Sequence, residues 1–432
     1  MRILHLIHRF PPAIGGGESW CNGVVSYLAA RGYEVEVLTF RATEEGDLWG
    51  AATVPERHVA VGAVDLHPRI RIRRCALSDT PWGLFRLMER VGLHLSSPYS
   101  AELFGRTLAA ARHADVIHIN LCNALLSFWG LAVARLTGRP AVITPHFHPS
   151  DPTCQQPAVF WLLRTCDAIV AVTPYERELF TRRGVAADRI VVATNAVDAR
   201  GFDEVDTATR LRVRERVRAR WGLPPETPVV AYLGRKTPQK AIPVLLEAAA
   251  LVARARNLAL VLAGPTSEWY GAWRRTWVTG PLRVIDLPAI PEATKIAVLA
   301  ASDVLVQPSL YEAFGIVFLE AWASGVPVIG ANFGAVPEVV GDGGLVFEPA
   351  NPIDLATKLE WLLTHPDEAR AMAARGRARA IREHTWDRAG AAVEEAYAIA
   401  LAQRRPRPGT VPGSDPGPIK SGTATPAERA LG

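Results

Sequence analysis

Few architectures accommodate the way this chain begins. Residues 3–7 form a short apolar run, Pro11-Pro12 and Gly15-Gly16-Gly17 interrupt it, residues 18–31 have helical composition, Gly32 closes them, and a second apolar run follows at 34–40. Strand, glycine turn, helix and strand make a βαβ unit, whose strands lie parallel and whose crossover is right-handed. A parallel sheet is covered by helices on both faces, so one such unit commits its domain to continued alternation. Apolar runs at 116–119, 141–144, 168–172 and 190–193, separated by helical segments such as 101–112 and 125–136, keep to that rule.

The stretch 203–220 turns strongly charged and Pro224-Pro225 follows, which predicts a linker over 201–225. Beyond it the alternation restarts, with strands at 229–233, 258–263, 283–286 and 303–306 and a helix at 242–255. The expected domains are therefore 1–200 and 226–384, then a helix at 385–403. A tail at 404–432, rich in proline, glycine, serine and threonine, has little to bury and is expected to be disordered. A chain of 432 residues supplies two cores of ordinary size. Two α/β units in tandem leave a cleft between them, a favoured place for a ligand.

No apolar stretch reaches the length of a membrane span, and Arg2, His5 and Arg9 interrupt the first apolar segment, so neither a span nor a signal peptide is expected. The expectation is a cytoplasmic protein. Cys21, Cys75, Cys122, Cys154 and Cys166 show no C-x-x-C spacing and fit reduced thiols better than a disulfide frame or zinc site. The net charge of +5 is mild, and no nucleic-acid partner is expected. Arginines crowd 69–74 and 210–220; such runs are usually solvated faces, with peripheral contact to a membrane or lipid-linked acceptor as the other reading.

The chemistry-bearing residues concentrate late. Pro308-Ser309 ends the run 303–306, Glu312 follows on a loop, and 315–324 reads as a helix ended by Gly325. Glu320 then lies one to two turns inside that helix, so the two carboxylates can reach opposite ends of a ligand across its mouth. Backbone amides near Phe314, Gly315 and Ile316 are placed to receive a phosphate. Upstream, Gly234-Arg235 ends a strand and Lys240 precedes a helix; Arg235 offers a planar fork and Lys240 a compact charge. Neither a strict D-x-D motif nor a Walker P-loop occurs, so these cations are the candidates for neutralising an anionic ligand without metal. The Gly15-Gly16-Gly17 turn permits close backbone approach to an anion, but Trp20 takes the last glycine position of G-x-G-x-x-G and an ordinary dinucleotide fingerprint fails.

The pair Glu312 and Glu320 resembles the E-x7-E signature of retaining glycosyltransferases of the group 1 type, also called family 4, which have the GT-B fold. Gly234-Arg235 and Lys240 are similar to the family's G-R-x4-K-G element, with Ala241 where its last glycine usually lies. His146, after the run 141–144, matches the family's histidine near the donor sugar, with His148 close by as a competitor; His118 reads as a strand-end residue. Thr194-Asn195-Ala196-Val197-Asp198 resembles the segment near the domain junction, Ala263-Gly264-Pro265 the turn near the nucleoside, and Gly334-Ala335-Val336-Pro337-Glu338 the element that follows the two glutamates.

The resemblance implies an α/β fold of two Rossmann-like domains facing a cleft, with the C-terminal helix crossing back to the first. It implies transfer of a sugar, with retained configuration, from a nucleotide-diphosphate-sugar to the hydroxyl of a glycan, glycolipid or small molecule, without metal or other cofactor. Glu312 would grip the donor sugar, Glu320 the ribose diol, and Gly264 the nucleoside side. Arg235, Lys240 and the amides of the Phe314-Gly315-Ile316 turn would hold the diphosphate, met by Gly16 and Gly17 from the opposite domain. His146 would shape the site around the reacting carbon, and the departing phosphate would take the acceptor proton after front-face attack. A nucleotide-sugar epimerase on the same scaffold and a non-catalytic two-domain sugar-binding protein are the alternatives. Trp269, Trp273 and Trp277, at helical spacing, predict packing or a pocket wall. An apolar face at Trp82, Leu84, Phe85, Met88 and Val91 is a candidate acceptor contact.

Overall fold

The computed structural model describes residues 1–42, 67–78, 98–198, 207–277 and 280–403. The first half is one parallel sheet of β1 (Arg2–Leu6), β2 (Glu34–Phe40), β3 (Ile70–Cys75), β4 (Val116–Asn120), β5 (Ala141–Thr144), β6 (Ala168–Ala171) and β7 (Ile190–Val192), in the order β3-β2-β1-β4-β5-β6-β7. Its helices are α1 (Gly16–Ala30), α2 (Ala101–Ala111), α3 (Leu125–Thr137), α4 (Pro157–Thr165) and α5 (Pro174–Arg182). The two-residue period of a strand divides β1 between two cores: Leu4 and Leu6 join the cluster under α2 and α3, while Ile3 joins the one under α1. Every residue of β4, β5 and β6 is buried, which is why these strands read as mainly apolar runs.

The second half begins inside the expected linker. Residues 207–220 form α6 (Thr207–Arg220), a helix docked on the second domain by Arg214 and Arg218, both of which reach Asp303. Then follow β8 (Val229–Leu233), α7 (Ile242–Ala253), β9 (Ala259–Ala263), α8 (Glu268–Arg274), β10 (Arg283–Leu287), α9 (Glu292–Ala301), β11 (Val304–Gln307), α10 (Ile316–Ala323), β12 (Val328–Ala331), α11 (Val336–Val340) and β13 (Gly344–Phe347). The strands make a parallel sheet in the order β10-β9-β8-β11-β12-β13. Helices α12 (Pro352–Thr364) and α13 (Pro366–Glu383) lead to α14 (Trp386–Ala402), which returns to the first half.

Two glycines let α14 seat. A Cβ on Gly23 of α1 would lie 2.1 Å from Trp386, and one on Gly390 of α14 would lie 2.1 Å from Tyr27. Val393, Ala396 and Tyr397 complete the core under α1. Beside this helix the chain passes between the halves twice in adjacent positions: the Val197 amide donates to the His384 carbonyl at 3.0 Å, and His384 Nδ1 lies 3.0 Å from Thr194 Oγ1. Two parallel α/β halves and a returning helix are the architecture that the resemblance implies.

His118 lies within β4, not at its end, and is buried, with Nδ1 2.7 Å from Tyr397 Oη and Nε2 2.8 Å from Thr144 Oγ1. The tryptophan stripe is packing: Trp269 and Trp273 stack at 5.4 Å, and with Trp277 they lean on the second core. All five cysteines are buried and none is in a disulfide. Among the described residues no helix is long and apolar enough to cross a membrane. The apolar face at Trp82, Leu84, Phe85, Met88 and Val91 and the tail 404–432 lie outside the described residues.

Candidate functional site

The cleft between the sheets holds a cavity of about 530 Å³, lined from the first half by the ends of β1 and β5 and the start of α1, and from the second by the ends of β8, β9 and β11 and the start of α10. Parallel sheets present ligand sites at the carboxyl ends of their strands. A larger cavity of about 700 Å³, bounded by Arg2, Glu34, Arg69 and His113, sits at the opposite end of the first sheet, where that rule predicts none. Gly16, Gly17, His146, Arg235, Lys240, Gly264, Glu312, Phe314, Gly315, Ile316 and Glu320 all border the interdomain cavity.

Two strand-end glycines line the second half's wall of the cavity. Gly234 and Gly264 have φ of +150° and +148°, and a Cβ on Gly264 would stand 1.9 Å from the Gly234 carbonyl oxygen. Only glycine allows the ends of β8 and β9 to approach so closely. Two residues after Gly234, Lys236 is fully buried; it pairs with Asp286, donates to the Leu287 carbonyl at 2.6 Å and lies 5.0 Å from the Tyr270 ring centre. It braces the turn from which Arg235 reaches the cavity. Ala241 keeps the turn that a glycine would favour, at φ +49°, and α7 starts from it.

Lys240 Nζ pairs with Glu312 Oε1 and donates to the Tyr311 carbonyl at 3.2 Å, while Gln307 Nε2 donates to Glu312 Oε1 at 2.9 Å. Burial pushes the Glu312 carboxyl upward, but Lys240, the Gln307 amide and His148 outweigh it and hold it below its ordinary range. Glu320 lies in the second turn of α10, which starts from Gly315 at φ +88°. Its Oε1 is 2.6 Å from Lys295 Nζ, and Lys295 also meets Glu292 at 2.8 Å. Burial raises the Glu320 carboxyl, partly offset by Lys295; burial pulls Lys295 down, but Glu320 and Glu292 more than compensate and raise it. The Phe314 ring is buried, edge-on to His384 at 5.4 Å.

From the first half, Arg9 and Glu18 form a buried pair at 2.5 Å beside the glycine turn. A Cβ on Gly16 would meet nothing within 4 Å, whereas one on Gly17 would touch the His146 ring at 3.6 Å. His146 adopts φ +46° and lies edge-on to Trp20 at 5.3 Å. Burial, then the charge of His148, pushes it down to about 3, so the ring is neutral near pH 7.

Buried polar atoms normally have partners. Here His146 Nε2, His148 Nδ1, Asn195 Oδ1, Gln307 Oε1 and Glu320 Oε2 are buried without one, and all five residues border the cavity. Together with Arg235 and Lys240 they form a polar lining suited to a ligand that is rich in hydroxyls and carries an anionic group. Among the described residues no three His, Cys, Asp or Glu side chains cluster as metal ligands would. Lys295 and Lys236 escaped the sequence reading. Lys295 lies 25 positions from its partner Glu320, and only the packing of α9 beside α10 brings them together.

Residues 213–379 match the family described as glycosyl transferases group 1, and residues 15–196 match the glycosyl transferase 4-like domain. The D-inositol 3-phosphate glycosyltransferase of Salinispora tropica is 30% identical over 91% of this chain and 83% of its own length. The MMP alpha-(1->4)-mannosyltransferase of Mycolicibacterium hassiacum is 26% identical over 93% and 99%. Among solved structures, Anabaena HepE in complex with UDP and glucose superposes with a TM-score of 0.70 at 20% identity, covering 92% of this chain and 99% of that one. Sucrose-phosphate synthase from Thermosynechococcus elongatus does so with 0.71 at 21%, covering 93% and 99%.

Proposed function

Because the chain belongs to the glycosyl transferases group 1 family, we propose that it moves a sugar from a nucleotide-diphosphate-sugar to an acceptor hydroxyl with retention at the anomeric carbon and without a metal. The observation that carries this reading is the convergence of unpartnered buried polar atoms and two cations on one interdomain cavity.

Each group has a place in that chemistry. Glu320 Oε2 accepts from the ribose diol while Lys295 keeps the other oxygen, and the charge on the carboxylate strengthens both bonds. Glu312, held ionised by its neighbours, accepts from hydroxyls of the donor sugar. Lys240 carries three donor hydrogens; Glu312 and the Tyr311 carbonyl take two, which leaves the third for a phosphate oxygen. Arg235 adds a second cation, and the amides at the start of α10 a third set of donors, so negative charge building on the diphosphate meets fixed positive groups. His146 Nε2 borders the donor sugar as a neutral hydrogen-bonding group. The departing phosphate oxygen then takes the proton of the attacking hydroxyl.

HepE was solved with UDP and glucose, which makes UDP-glucose the first donor to assay. Turnover is expected to persist in EDTA, and Lys240→Ala is expected to lower kcat by about a hundredfold. NMR of the product is expected to give the donor's anomeric configuration. An inverted product would remove the retaining mechanism; a strict metal requirement, or near-normal turnover by the variant, would remove the role given to the cations.

A further inference from the structure

A buried acid outside the cavity holds the backbone beside His146. Glu176 is the third residue of α5, follows the N-cap Thr173, and is 1% exposed. A glutamate at that position ordinarily reaches back to the amide of its own cap. Half of the arrangement is present, since Thr173 Oγ1 accepts from the Glu176 amide at 3.1 Å. The carboxylate itself goes elsewhere: Oε2 accepts from the Val172 amide and Oε1 from the Phe147 amide, both at 2.7 Å.

Phe147 follows His146, whose φ of +46° lies in a region that residues with side chains rarely occupy. The Phe147 ring is locked between Phe160 and Phe180, at 5.8 and 5.5 Å between ring centres. Farther along, Ser150 Oγ donates to the Leu310 carbonyl at 2.6 Å, two residues before Glu312. The segment 146–150 is thus tied behind the cleft to α5 and in front of it to the loop of the opposite domain that carries Glu312.

We propose that Glu176 is a positioning residue for sugar transfer, fixing the Phe147 amide and through it the left-handed backbone and ring direction of His146. The proposal rests on the reading that His146 borders the donor sugar. A carboxyl group suits this task because two diverging amides need two acceptor oxygens, which it offers whether ionised or protonated and which an amide side chain cannot supply. Burial pushes the Glu176 carboxyl up to about 8 even against the two amides that favour its charge. Such a residue costs stability where it stands, as expected of a group kept for geometry.

The test compares wild type, Glu176→Gln, His146→Ala and the double variant. Glutamine retains one acceptor oxygen and can satisfy one of the two amides. Glu176→Gln is expected to lower kcat about tenfold and leave the donor KM within about twofold, with little further loss when it is added to His146→Ala. The imidazole Cε1 signal of His146, assigned by its disappearance in His146→Ala, is expected to move in Glu176→Gln. Losses that multiply in the double variant, or an unmoved signal, overturn the proposal. If His146→Ala turns over normally, the role of His146 in transfer fails, while the signal still decides whether Glu176 positions it. Should Glu176→Gln not fold, Glu176→Asp, one methylene shorter, is read by the same signal with the same two outcomes.

Discussion

Glu320 joins two requirements that conflict in water-poor surroundings. In the role proposed for it, it must stay charged to accept strongly, yet burial raises its carboxyl, and Lys295 at 2.6 Å is the side chain that offsets the cost. Replacing Lys295 by Met leaves the carboxylate buried without its cation and raises Glu320 further. Nucleotide diphosphate is then expected to bind about tenfold more weakly at pH 7, and progressively more weakly as the pH falls and Glu320 takes up a proton. Calorimetric titration across pH measures both effects, and an unchanged Kd would mean that Lys295 only packs. Glu312, Glu320, Arg235 and Lys240 could be picked out from the chain because each pair is close in sequence and sits at the junction of a strand or loop with a helix. Lys295 could not, because its pairing with Glu320 exists only after α9 and α10 have packed. Glu176 was hidden for another reason: a glutamate three residues after a threonine looks like ordinary helix capping.

The helix α6 shows how charge conceals structure. Its run of arginines lacks an apolar stripe and therefore looks like a connector, yet Arg218 is buried. Its Nε donates to the Ala301 carbonyl at 2.9 Å, Nη1 to those of Pro225 and Thr227 at 2.8 and 2.9 Å, and Nη2 to Asp303 at 2.6 Å. Arginine can dock a helix in this way because its fixed fork of donors reaches three carbonyls and a carboxylate at once. Asp303 also accepts from the Val229 amide at 2.7 Å, joining α6 to the first strand of the second sheet. Asp303→Ala removes the counter-charge from a buried cation and is expected to cost about 3 kcal/mol, discounted from the upper range because Asp303 is itself partly exposed. Denaturant unfolding measures this, and a loss under about 0.5 kcal/mol would assign the docking to the carbonyls alone. Most strands were legible for the opposite reason, since sheets covered on both faces need apolar residues; β3, whose Ile70–Cys75 run carries three arginines, was not, and neither were β12 and β13.

Burial of histidine ties the stability of the folded chain to pH. Burial pushes His5 and His146 down to about 3, with His148 adding to the effect on His146; burial, then Arg9, does the same to His8. The unfolded chain, with histidines near the ordinary 6.5, binds more protons between about 3 and 6.5, so stability rises with pH across that window and is lost as pH falls through it. At pH 5 the loss is about 2 kcal/mol for each of the three. Glu176 slopes the other way: raised to about 8, its contribution is lost as pH climbs from about 4.5 to 8. Maximum stability is therefore expected near pH 7; at pH 5 the histidines lose about 6 kcal/mol and Glu176 returns about 2.5 kcal/mol, so Tm falls by about 4 °C. Scanning calorimetry tests it, and a Tm constant between pH 7 and 5 would contradict the burial of these rings. The crossings at Val197 and His384 lie side by side, bonded to each other across 3.0 Å. A single tether would let one lobe twist freely on the other; two neighbouring tethers define an axis. Any opening between the lobes would be confined to a swing about that axis, which would keep Glu312 and Glu320 in one register with His146.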